Sequence, residues 1–218
     1  MKKITKLLAV GFVALLALAV MGCSNPSSGG GSGSGGGAGG GSGSGSGNGE
    51  LSEVTTSDFI GVDLSGDYNA EIVMEITSQN VKTTENAVFE FVGSGNDYEI
   101  YYKKDSVSTC SYWMQTYEDL FANYTETQFN LIKDSLASES TKQQVQTAMA
   151  GTADVTVSDF SVSRNGTFTF KMKYNEQLKF ADLDLTDTTG IKANSSLTKF
   201  CFDESTSGAT VKIILTKK

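Results

Sequence analysis

Histidine is absent from all 218 residues. That absence excludes Ser-His-Asp and Cys-His catalysis and any histidine-ligated zinc. Proline occurs once, at Pro26, and tryptophan once, at Trp113, so no proline interrupts a strand or helix in the rest of the chain. The three cysteines, Cys23, Cys110 and Cys201, are too few for a disulfide-built scaffold. Beyond the N-terminal stretch, no apolar run approaches the ~20 residues that a membrane-crossing helix needs. Basic side chains are outnumbered, 17 against 25 acidic. This balance argues against nucleic acid as a partner and against a polybasic grip on anionic lipid.

What is present begins at the N-terminus. Lys2, Lys3 and Lys6 precede an apolar stretch from Leu7 to Met21, interrupted by Gly11 and closed by Gly22-Cys23. A charged head, a short apolar core and a small residue at the cut read as a secretory signal over residues 1–22. Val20-Met21-Gly22-Cys23 resembles the lipobox of bacterial lipoproteins. The resemblance implies that the Cys23 thiol receives a diacylglyceryl group and that the chain is cleaved just before it. It also implies a further acyl chain, such as palmitate, on the new amino end. Cleavage there removes three lysines and takes the net charge from −8 to −11. The membrane partner is then reached through covalent lipid, each buried CH₂ contributing ~0.8 kcal/mol. Ser24 follows the cysteine where some relatives carry an inner-membrane aspartate, so the resemblance favours the outer membrane in a two-membrane cell.

Residues 23–50 hold the acylated cysteine and a tether. Between Gly29 and Gly49, 14 of 21 residues are glycine. No large side chain there offsets the entropy of ordering, so the segment reads as a flexible linker. As a Gly-rich coil it reaches roughly 30 Å on average, and about 90 Å fully extended. A phosphate-binding loop is not indicated, because no Gly-Lys-Ser/Thr follows.

Residues 51–218 are long enough for one domain with its own core. Ile72, Met74 and Ile76 alternate against Glu71 and Glu75, and Ala87, Phe89 and Phe91 alternate likewise, which predicts half-buried strands. A turn at 93–97 leads to a third strand over 98–103. The apolar period then becomes helical, with Trp113, Tyr117, Leu120, Phe121 and Tyr124 on one face. Capping boxes at Thr125/Gln128 and Ser140/Gln143, with Gly151 as a stop, predict two or three short helices over about 113–150. Strands resume at Phe160 and Val162. A three-residue loop, Arg164-Asn165-Gly166, pairs Val162 with Phe168 and Phe160 with Phe170, burying both apolar sets on one face with Gly166 left-handed. Val155 and Val157 have the opposite parity, which predicts an irregularity near Ser158. Further strands fall at about 177–181, 197–203 and 209–216. The fold class is α+β: a mostly antiparallel sheet with a central helical insert.

Export places Cys110 and Cys201 in a compartment that permits oxidation. Either they form a disulfide across the helical insert, worth ~4–5 kcal/mol by loop entropy, or they are two buried thiols. Ser196-Leu197-Thr198-Lys199 has Ser-x-x-Lys spacing but lacks the companion motifs of penicillin-binding enzymes. Asp63, Asp67 and Asn69, or Asp182, Asp184 and Asp187, offer oxygens without completing a calcium loop. No metal or cofactor is therefore expected. Carboxylates are numerous, yet no spacing singles out a glycosidase pair.

Six of the eight tyrosines and the tryptophan lie between residues 98 and 124. Tyr98, Tyr101, Tyr102, Tyr112, Trp113, Tyr117 and Tyr124 read either as core or as a surface for an envelope protein, peptide or glycan. Leu64-Ser65-Gly66-Asp67-Tyr68 resembles the Gly-x-Trp entrance of lipocalin-like barrels, with Tyr68 in the Trp position; that resemblance implies a small-ligand barrel. The leading expectation is an anchored, non-catalytic binding module. An envelope hydrolase with paired carboxylates is the alternative from another class.

Overall fold

The structure, a computed structural model, describes residues 50–150, 154–206 and 208–218, with the side chains of 144, 145 and 147–150 left aside. The signal, lipobox and tether, and the helix stop at Gly151, lie outside the described residues. In order, the strands are β1 (Ser52–Glu53), β2 (Gly66–Ile76), β3 (Val81–Ser94), β4 (Asp97–Tyr102) and β5 (Val107–Met114). Three helices follow, α1 (Gln115–Ala122), α2 (Glu126–Leu136) and α3 (Glu139–Ala150). Then come β6 (Val155–Val162), β7 (Thr167–Tyr174), β8 (Leu178–Asp184), β9 (Ile191–Ala193), β10 (Lys199–Ser205) and β11 (Ala209–Lys217). The class is α+β, a mostly antiparallel sheet with a helical insert.

The 14-residue β3 organises the sheet. One edge pairs with β2 from Val81 to Phe91. The other edge is divided: Val81–Asn86 pairs with β5, and Phe89–Ser94 pairs with β4. At the division, the Lys103 N–H donates to the Val88 carbonyl at 2.9 Å, and the Ser106 N–H turns back to Lys103 at 3.1 Å. The sheet thus forks. One branch continues β4–β8 and the other β5–β7–β6, while β11, β10, β9 and β1 extend the far side of β2.

Each branch closes on its own core. Tyr68, Phe89, Phe91, Phe180, Phe200 and Leu215 belong to the first. Tyr112, Phe121, Phe129, Phe168, Phe170 and Tyr174 belong to the second. Tyr102 packs against both. The helices cover the second core: Tyr117 meets Phe168 edge-on at 4.8 Å, and Phe121 meets Phe129 at 5.2 Å. Arg164 fastens the β6–β7 turn to α2, donating to Glu126 at 2.7 Å and lying over the Phe129 ring.

The β6–β7 hairpin follows the side-chain parity. Val162 pairs with Phe168, and the register shifts between Ser158 and Ser161. Asp159 takes a positive φ of 53° there. The extra residue lets Val155, Val157, Phe160 and Val162 all point inward, and Phe160 stacks on Phe170 at 5.9 Å. The Thr125/Gln128 capping box forms as expected. The second box does not: the Thr141 N–H is capped by the Ser138 hydroxyl instead.

Two expectations are corrected. Trp113 lies on β5 rather than on a helix, because Ser108, Cys110 and Tyr112 alternate inward and carry the strand to Met114, directly before α1. Cys110 and Cys201 do not form a disulfide; both are free, buried thiols. Cys110 is on β5 and Cys201 on β10, four positions apart in the sheet order. At about 4.8 Å per strand that is roughly 19 Å, against at most about 7 Å between the Cα atoms of a bridge.

Gly166 has φ 75°, and an added Cβ would stand 2.5 Å from the Glu118 nitrogen and 2.7 Å from the Met114 oxygen. Gly95 has a similar φ of 65° but open space around it. Gly95→Ala should therefore cost only the left-handed strain, about 1–2 kcal/mol. Gly166→Ala should cost clearly more, because α1 must also move off the turn. Urea unfolding of the two variants checks this, and equal midpoints would refute the docking of α1 on the hairpin.

Candidate functional site

The aromatic residues do not assemble into one surface. Tyr98 is buried in the first core, while Tyr112 and Tyr117 are buried in the second. The Tyr98 hydroxyl accepts the Leu64 N–H at 3.1 Å, and the Tyr68 hydroxyl donates to the Leu64 carbonyl at 2.8 Å. Burial pushes the Tyr112 phenol up to about 12. Tyr101 donates to Glu99 at 2.7 Å, and the Trp113 indole donates to Glu118 at 2.8 Å. Tyr124 leans on Phe121. The segment resembling a lipocalin entrance supplies Tyr68 to a tightly ringed interior. Tyr68 lies 4.3 Å from Phe91, and Phe89 lies 4.6 Å from Phe180. Rings occupy the space that a ligand-holding barrel would keep open.

A carboxyl group sits where the two cores meet. Glu85 has the same parity on β3 as Ala87, Phe89 and Phe91, so it points inward at the fork. Its two oxygens accept from the Tyr174 hydroxyl at 2.9 Å and the Tyr102 hydroxyl at 3.1 Å. The two phenol rings stack at 4.3 Å. Ser108, the one fully buried polar residue among those described, reaches Tyr174 at 3.5 Å and Cys110 at 3.9 Å. Glu85 is half-buried as a residue, but its carboxyl head is enclosed by these groups. Burial raises its pKa, opposed by the hydrogen bonds from Tyr174, Ser108 and Tyr102. Burial likewise pushes up both phenols and the Cys110 thiol. The sequence signal for this site was an acid at an inward position of an alternating strand.

Clefts open on the surface among the described residues. The larger of two, about 570 Å³, lies over the fork and is lined by residues of β2, β3, β5, β10 and β11. Cross-strand register explains its composition. Ile214, Glu71, Asn86 and Thr109 stand in one row, and Thr216, Asn69 and Val88 stand in the next. These are outward positions, opposite in parity to the buried Ile213, Leu215, Ile72 and Ala87. The smaller cleft, about 420 Å³, is acidic, with Asp97, Glu99, Asp182 and Asp184 around Tyr98 and Leu183. Asp97 faces Asp184 across β4–β8, and Glu99 faces Asp182. Such like-charged pairs repel. Lys179 relieves one of them by bridging Glu99 and Asp182.

The remaining motifs are local structure. Asn194 accepts the Thr198 and Lys199 N–H groups at 2.9 Å each and bonds Ser196, which makes Ser-x-x-Lys part of a turn. Asp63 holds Ser65, Asp67 holds Lys103, and Asp187 holds the Thr189 N–H. Among the described residues no group of three or more acids or thiols is placed to hold a metal ion. A glycosidase needs a raised carboxylic acid beside an ionised one. The raised acid here, Glu85, lines neither cleft, and Glu99 in the acidic cleft is lowered, first by its bond from Lys179. Comparison with known proteins returned no matching family model, curated protein or solved structure.

The raised pKa of Glu85 sets a pH dependence. Its contribution is most favourable below the unfolded carboxyl value, about 4.3, and is lost as pH rises through the raised folded value. Glu85→Gln keeps the size and most hydrogen bonds without the charge. The variant should melt higher than the native protein at pH 7, and the gap should close toward pH 4. A variant that melts lower at pH 7 would show that the charged form is favoured.

Burial also raises both thiols. Alkylation without reductant should modify neither Cys110 nor Cys201 in the folded protein and both after denaturation. Failure to modify either one after denaturation would restore the disulfide.

Proposed function

We propose that this chain is a lipid-anchored cell-envelope lipoprotein whose folded domain is a non-catalytic binding module. The anchoring rests on Cys23, which ends a charged-then-apolar leader and begins the Gly/Ser tether. Glu50 is exposed, and the first pairing, Ser52 with Ala193, is on the edge strand β1, so the described chain begins at the rim of the sheet, which supports an attachment through the preceding segment. Among the described residues no helix is long and apolar enough to cross a membrane.

The binding part of the reading rests on the cleft over the fork. It is an open depression of about 570 Å³ on a sheet face whose other side is committed to the cores. A lipid-anchored domain with an open cleft suits capture of an envelope protein, peptide or glycan near the membrane.

Cells expressing the full chain and fed labelled palmitate should label the native protein and leave Cys23→Ala unlabelled. A variant that keeps the label would refute the anchor.

A further inference from the structure

The outer face of the sheet differs from the rest of the domain in its charge. Of the 25 acidic side chains of the protein, 24 lie within residues 51–218, yet the fork cleft contains one acid and one base, Glu71 and Lys199. Between and beside them stand Asn69, Asn86, Thr109 and Thr216. Among the described residues, none of these four side chains hydrogen-bonds to another part of the protein. The four therefore present donors and acceptors to whatever occupies the cleft. Apolar contact comes from Val88, Ile214 and Val107, the last 48% exposed.

This composition selects a ligand class. A polyanion would meet a cleft of no net charge on an acidic domain. A peptide strand would need a free sheet edge to add to. Here the cleft is on a face, and the backbones of β2, β3, β10 and β11 beneath it are already paired on both sides, apart from the fork itself, where Lys103 fills the gap. Side-chain amides and hydroxyls in two rows, about 4.8 Å apart from strand to strand, match the spaced hydroxyl groups of a neutral sugar chain. The three apolar residues beside Asn86 and Thr109 suit a methyl group joined to an amide.

We infer that the fork cleft binds a neutral oligosaccharide bearing acetamido groups. The hydroxyls would be held by Asn69, Asn86, Thr109 and Thr216, and the acetamido methyl would lie against Val88, Val107 and Ile214. This rests on reading the domain as a binding module and deepens it.

Calorimetric titration of the full mature chain in detergent tests the assignment with three probes: an N-acetylglucosamine tetramer, a glucose tetramer and a neutral mixed-sequence decapeptide. Binding should be seen for the acetylated tetramer and be at least about tenfold weaker for the glucose tetramer. The Asn86→Ala/Thr109→Ala double variant, altered only at exposed positions, should lose about tenfold or more in affinity, since each truncation removes a ligand hydrogen bond. Thr206→Ala, away from the cleft, should not. Equal binding of the two tetramers would overturn the acetamido assignment. Binding of the peptide alone would overturn the sugar while leaving a binding module. Binding unaffected by the double variant would overturn the cleft. Binding of no probe would overturn the inference.

Discussion

The pairing of Glu85 with Tyr102 and Tyr174 is the constraint on which the architecture turns. One long strand must serve two cores, and its outer edge must change partners midway. At such a fork the two branches diverge and leave a seam. The seam here is closed by two phenols, one from each branch, stacked on each other and both donating to one carboxyl. A buried ionised group without donors would be costly. With phenol donors from both branches, the same group fixes how the branches meet. Apolar contact alone would not, because it is non-directional.

This seam explains the position of the tyrosines. A run of Tyr and Trp across 98–124 looks like a recognition surface, because those residues dominate protein surfaces that bind. In this fold Tyr98, Tyr102, Tyr112 and Tyr117 do structural duty. β4 and β5 lead away from the fork, and side chains lining a seam need large apolar area with a polar tip. Tyr102 serves both cores, Tyr98 ties the loop before β2 to β4, and Tyr112 and Tyr117 seat the helices.

Legibility in the sequence followed the strength of the local pattern. The β6–β7 hairpin could be read to its register, because apolar parity, Asn-Gly chemistry and the change of parity near Ser158 all agreed. The strands β2, β3 and β11 were readable by alternation, and α2 by its capping box. β5 was not, because its inward residues begin Ser108, Cys110, which carry a weak apolar signal, and its outward Trp113 fell in step with the helix that follows. β1 and β9 are too short for a pattern to register. The fork could not be read at all: it depends on which strand each half of β3 chooses, a long-range matter that no local window contains.

The same reasoning explains why the candidate site left no motif. Asn69, Asn86, Thr109 and Thr216 come from four strands spread over most of the folded chain, and each is ordinary at an outward position of a strand. Register alone brings them together, through Thr216 with Asn69 and through Asn86 with Thr109. Register in turn is fixed by the inward faces of the same strands, by Ala70 opposite Ala87 and Tyr68 opposite Phe89. A one-residue slip would place Asn86 in the core and Glu85 outside. Glu85, with its two tyrosines waiting inside, is thus what forbids the slip that would dismantle the outer face. A buried acid can thus set the arrangement of the outer face on the other side of the sheet.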